Sequence, residues 1–105
     1  MIKESFGVEV QTIVYDLDGP YTLDKIKEIE QLFEGIEDVA VLINNAGVAS
    51  YAKVEDLDFK QTLTNIYVNT FPIPILTKIL VPKMIARNKR GAVITVSSVC
   101  GRELD

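Results

Sequence analysis

An α/β fold built on a parallel sheet is what this sequence predicts, with three strands joined by crossover helices. Three apolar runs predict it. Residues 39–43, Val-Ala-Val-Leu-Ile, carry no polar interruption, the pattern of a strand covered on both faces. Residues 8–15 alternate at first, become continuously apolar and end at Asp16, while residues 92–96, Ala-Val-Ile-Thr-Val, end at Ser97 and Ser98. The intervals between the runs are long enough for helices, and connections of that length imply parallel strands with right-handed crossovers.

Taken in order, residues 1–7 read as the end of a helix followed by a connecting glycine, Gly7. After the first run, residues 16–20 carry turn chemistry. Thr22 can cap the next helix and Asp24 suits its first turn; Leu23, Ile26, Ile29 and Phe33 share one face, and Gly35 is a C-terminal stop. The second run then enters a loop reaching about residue 54. Asp56 can cap a helix with Phe59, Leu63 and Ile66 on one stripe. Pro72 and Pro74 interrupt that helical pattern, because proline lacks an N–H and clashes with the carbonyl four residues earlier. Either one helix stops near Asn69 and another starts near Pro72, or a single long helix kinks there. Both leave carbonyls near Asn69 without helical partners, free to hold water. Residues 75–84 are apolar nearly all round and should be deeply packed or lie in an oligomer interface. The order strand–helix–strand–helix–strand is half of a doubly wound, Rossmann-like nucleotide-binding sheet.

Composition narrows the function. At 105 residues one small domain is expected, and 48% hydrophobic with 25% charged residues is ordinary for a globular protein. A net charge of −4 without a dense Lys/Arg cluster argues against nucleic acid as a partner. Lys83, Arg87, Lys89 and Arg90 fall near a helix end, where cations complement the dipole. The single cysteine, Cys100, excludes an internal disulfide; with no histidine present, a zinc site is not expected. No secretory signal is visible. The longest apolar stretch, residues 71–86, contains three prolines and two lysines, too short and interrupted for a membrane segment.

The candidate site lies where the strands end. Asn44, Asn45, Ala46 and Gly47 come directly after the central run. The amides can bond neighbouring backbone, and the glycine permits close approach or positive φ. Ligands bind in the crevice outside the carboxyl ends of such strands. A plain surface turn after a core strand is the alternative.

Together, Asp16, the Asn-Asn-Ala-Gly loop, Asn69 and the Ser97-Ser98 pair resemble the short-chain dehydrogenase/reductase family. The resemblance covers the whole chain, but the chain covers only the middle of that family's domain. It implies binding of NADP or NAD and hydride exchange between nicotinamide and a small-molecule ketone or secondary alcohol. Asp16 and Leu17 match the family's adenine-contacting loop, with a turn aspartate as the alternative. Asn44 to Gly47 match the asparagine-rich loop beside the adenine ribose. Asn69 matches the helix asparagine that holds a relay water, against a helix-break asparagine. Ser98, rather than Ser97, matches the catalytic serine, whose hydroxyl can donate to a carbonyl oxygen as charge develops there. Cys100 reads as a small packing residue. The turn at Gly19-Pro20, the Ala49-Ser50-Tyr51 segment and Pro82 resemble the microsomal 3-oxoacyl-CoA reductase and hydroxysteroid dehydrogenase group, which implies a lipid or steroid substrate and the endoplasmic reticulum membrane.

Two family hallmarks are missing from the 105 residues: the glycine-rich turn that seats a pyrophosphate, and the catalytic Tyr-x-x-x-Lys. Tyr21 and Lys25 have that spacing but precede the motif loop and Ser98, the wrong chain order. An internal piece of a domain, inactive by itself, is therefore expected. In the doubly wound order the strand at 8–15 does not neighbour the strand at 39–43. An unpartnered edge is a liability, so residues 8–15 should either pair directly with 39–43 or drive association with a second copy.

Overall fold

The computed structural model describes residues 1–98 and Cys100. A short helix α1 (Ile2–Phe6) ends at Gly7, whose φ of 64° terminates it in the left-handed region. After it come α2 (Leu23–Leu32), strand β1 (Val41–Asn44), α3 (Phe59–Thr70), α4 (Pro72–Ala86) and strand β2 (Ala92–Thr95).

The sheet is parallel, with Val41 opposite Ala92 and Asn44 opposite Thr95. It has two strands among the described residues, and the expected third is corrected. Residues 8–15 form no strand and do not pair with β1. A strand exists only where a neighbour completes its ladder, and here β1 has β2 on one edge and nothing from residues 8–15 on the other. Val8, Val10, Ile13 and Val14 consequently stay exposed.

Helix α4 covers one face of the sheet. Leu42 from β1 with Leu80 and Met84 from α4 form the buried cluster, and Phe33, Val39, Leu76, Ile79 and Val81 pack against it. Arg87, at the end of α4, donates from Nε to Asp38 Oδ1 at 2.7 Å and from Nη1 to the Val39 carbonyl at 3.2 Å. The basic residue expected to complement a helix end thus also ties that end to the start of β1. The opposite sheet face, carrying Val41, Ile43 and Ile94, is exposed.

Local chemistry sets the helix ends. Thr22 Oγ1 accepts from the Lys25 N–H, as expected of the α2 cap. Helix α3 starts two residues later than expected: Asp58, not Asp56, is its cap. Asp58 Oδ1 accepts from the Gln61 N–H at 2.7 Å while Gln61 Oε1 accepts from the Asp58 N–H, a reciprocal box that Asp56 does not make. The stripe Phe59, Leu63, Ile66 faces outward rather than into the core. At the proline pair the first alternative holds: α3 ends at Thr70 and α4 begins at Pro72.

Candidate functional site

Both parallel strands deliver their carboxyl ends to one side of the sheet. The Val96 N–H donates to the Asn44 carbonyl at 2.9 Å, which keeps the two outgoing chains together past the last ladder pair. Between them lies a cleft of about 610 Å³, lined by the loop residues Asn45 to Ala49 and Tyr51, by Asn69, and by Val96, Ser97, Ser98 and Cys100. The size suits a small organic ligand. The motif loop, the helix asparagine and the serine pair, separated by more than twenty residues each, therefore meet at one place.

Asn69 builds one wall. Its Oδ1 accepts from the Val48 N–H at 2.8 Å and its Nδ2 donates to the Val48 carbonyl at 2.9 Å. Both ends of the amide are used on the loop, so what Asn69 brings to the cleft is loop position and main chain. Pro72 and Pro74 have no N–H to offer the carbonyls of Val68 and Thr70, which leaves main-chain acceptors on either side of Asn69. Gly47 lets the loop pass close to the clamp: a Cβ there would lie 3.3 Å from Asn69 Oδ1, a tight contact. Ser98 closes the opposite wall with an exposed hydroxyl whose Oγ accepts from the Cys100 N–H at 3.3 Å.

Asn44 points elsewhere. It shares the covered sheet face with Leu42, is 7% exposed, and neither its Oδ1 nor its Nδ2 has a partner among the described residues. It lines a small cavity of about 60 Å³ with Ala46, Val68, Pro72 and Leu76. That is room for water, and a buried amide needs such a partner.

Asp16 and Leu17 do not line the cleft. Asp16 is exposed; its Oδ1 accepts from the Asp18 N–H at 2.9 Å, and its carbonyl accepts from Lys25 Nζ at 2.9 Å. The Leu17 carbonyl accepts from the Tyr21 hydroxyl at 2.6 Å. Tyr21 is therefore engaged, and burial first, then the neighbouring Tyr15, Asp16 and Asp18, push its pKa up to about 12. A catalytic tyrosine requires the opposite shift. Its spacing to Lys25 carries no such chemistry: Lys25 Nζ lies 5.2 Å from the Tyr21 ring centroid, over the ring face.

Sequence reasoning missed Thr64 and Asn65. Thr64 Oγ1 donates to Asp18 Oδ2 at 2.9 Å, and the Asn65 amide pairs with the Ser50 hydroxyl at 3.1 Å. Single polar residues on a helix leave no motif; only their partners, 46 and 15 residues away, reveal them.

A parallel α/β sheet with a cleft at its strand ends, walled by an amide-clamped loop and an exposed serine hydroxyl, is part of a Rossmann-like fold. The comparison with known proteins agrees: the model of the short chain dehydrogenase family matches residues 1–104, and the chain belongs to that family. The chain is 34% identical to very-long-chain 3-oxoacyl-CoA reductase of Rattus norvegicus over 106 residues, covering 95% of this chain and 32% of the relative. It is 38% identical to NADP-dependent 3-hydroxy acid dehydrogenase of Schizosaccharomyces pombe over 97% of this chain and 39% of the relative. It is 35% identical to human 17-beta-hydroxysteroid dehydrogenase 13 over 92% of this chain and 31% of that protein. The chain thus spans about a third of the length of these relatives.

The family uses nicotinamide cofactors on small-molecule substrates. The residues present fit part of such a cofactor. Gly47 leaves the loop bare where a Cβ would crowd Asn69, and hydroxyl and amide groups converge in the cleft. No glycine-rich turn before a helix is among the described residues to seat a pyrophosphate. No helix among them is long and apolar enough to cross a membrane.

Proposed function

We propose that this chain is the central part of one NAD(P)-binding domain, and that the domain transfers a hydride between nicotinamide and a ketone or secondary alcohol. The observation that carries the reading is the single cleft shared by the motif loop, Asn69 and Ser98. The cofactor, NADP or NAD, supplies or takes the hydride. Asn45, Ala46 and Gly47 border it, Asn44 supports the strand end beneath them, and Asp16 with Leu17 meets the adenine. The Ser98 hydroxyl donates to the substrate carbonyl oxygen as negative charge gathers there. Asn69 holds the loop and presents main-chain acceptors for a water that relays a proton. A 3-oxoacyl or steroid substrate is supported by the names of the relatives.

The test compares this chain with the longer protein that carries it, using NADPH and a 3-oxoacyl-CoA. The longer protein should turn over, and Ser98→Ala should cost about 10²–10³ in kcat. The 105-residue chain alone should show no turnover, because the general acid of this chemistry is not among its residues. Turnover by the short chain would refute the partial-domain reading. An unaffected Ser98→Ala variant would refute the role of Ser98.

A second reading is a non-catalytic dinucleotide-binding or dimerisation module, favoured by the apolar side chains Val41, Ile43 and Ile94 that stand exposed together on the open sheet face. NADPH binding without oxidation by the longer protein would select it.

A further inference from the structure

We propose that Thr64, together with Tyr67 and Phe71, is a positioning group that locks the loop carrying Asp16 and Leu17 onto α3, so that one helix sets both the adenine-side loop and Asn69. The inference rests on the cofactor reading above.

Residues 64, 67 and 71 are spaced three and four apart, one helical face, and Phe71 keeps helical dihedrals of −64° and −39° past the end of α3. The 16–21 loop meets that face through Asp18, Gly19 and Tyr21. Asp18 receives the Thr64 hydroxyl on Oδ2 and the Gly19 N–H on Oδ1, both at 2.9 Å. The Tyr21 ring stacks on Phe71 with centroids 4.9 Å apart and planes 17° apart, and Tyr67 meets Phe71 edge-on at 5.6 Å. Gly19 lies under the Tyr67 ring so closely that a Cβ would sit 2.5 Å from a ring carbon. Tyr21 then reaches back to the Leu17 carbonyl.

The consequence is selective. Two carboxylates, Asp16 and Asp18, stand two residues apart. Thr64 and Gly19 occupy both oxygens of Asp18, while Asp16 spends one oxygen on the Asp18 N–H and stays exposed. The joint therefore decides which carboxylate is offered to a ligand. Asn69 leaves the same helix between Tyr67 and Phe71 and grips Val48 on its other side. Helix α3 is a bar between the two loops.

The test uses the longer protein with Thr64→Val, Thr64→Ser and Gly19→Val. Two cofactors are compared: NADPH, and reduced nicotinamide mononucleotide, which lacks the adenosine half. Thr64→Val should raise the KM for NADPH about tenfold. It should leave saturated kcat and the second-order rate constant with the mononucleotide within about twofold. Thr64→Ser should restore the NADPH KM, and Gly19→Val should behave like Thr64→Val. Amide hydrogen exchange at residues 16–21 should quicken in Thr64→Val. Equal losses with both cofactors, or an unchanged NADPH KM with unchanged exchange, would overturn the proposal. If the wild-type protein binds no dinucleotide, the cofactor reading fails separately. Faster exchange in Thr64→Val would then still uphold the joint, and unchanged exchange would overturn it.

Discussion

Asn69 holds Val48 by both ends of its amide, at 2.8 and 2.9 Å, across 21 residues of chain. The expected helix-end asparagine is thus a two-point clamp on the loop beyond the motif. Asn69→Ala should leave the Val48 N–H and carbonyl to water and cost about 1–2 kcal/mol. Asn69→Asp, which sets a carboxylate oxygen against the Val48 carbonyl in place of the donor, should cost at least as much. Urea unfolding measures both, and equal stability of wild type and Asn69→Ala would show that the clamp is not formed in solution.

Alkaline pH should loosen the joint at Tyr21. The folded pKa is raised from 10.0 to about 12, mainly by burial. Between those values the unfolded chain gives up a proton that the folded chain retains, so stability is complete below pH 10 and falls as pH approaches 12. Comparing wild type with Tyr21→Phe by denaturant unfolding isolates the effect. The variant should lose less stability over that window; identical slopes would contradict the burial of the hydroxyl.

Two neighbouring aspartates should behave differently. Asp58 makes the reciprocal box with Gln61, whereas Asp56 lies in the 3₁₀ turn Val54–Asp56. Asp58→Ala should cost about 1 kcal/mol and Asp56→Ala close to nothing. Thermal melts of the two variants decide where α3 starts.

The core is small enough for one side chain to matter. Leu80 is 5% exposed between α4 and β1, whereas Leu23 is 77% exposed on α2. Leu80→Ala should cost about 2–5 kcal/mol, and Leu23→Ala less than about 0.5 kcal/mol. Chemical denaturation reads both.

Exposed Val41, Ile43 and Ile94 on the sheet, and Phe59, Leu63 and Ile66 on α3, should drive the isolated chain to self-associate. Sedimentation at micromolar concentration should show a homo-oligomer, and Leu63→Lys or Ile43→Lys should shift it toward monomer. A monomer in the wild type would remove the homo-oligomer proposal.

What the sequence determined by itself was local. The uninterrupted run at 39–43 marked a strand, and β1 occupies Val41–Asn44 within a residue or two of it, but only its Leu42 and Asn44 face is covered; Val41 and Ile43 stay exposed, so the cover on both faces that the run implied is not there. Thr22 capped α2 because its hydroxyl needs nothing beyond Lys25, and the prolines stopped α3 because their missing N–H groups are covalent facts. The parallel pairing came from connection length.

The tertiary structure decided what depends on a partner. Residues 8–15 have strand-forming side chains, yet a strand is a shared hydrogen-bond ladder and no neighbour offers one. Asp58 displaced Asp56 as the cap because Gln61 could answer it. Strand alternation set Asn44 on the covered face beneath the motif loop, and Asn69 was turned to Val48. Thr64 was silent in the sequence because a hydroxyl on a helix means nothing until the chain brings Asp18 to it. Dihedral preferences, caps and missing donors travel with the residue; pairing, burial and aim belong to whatever the fold sets opposite.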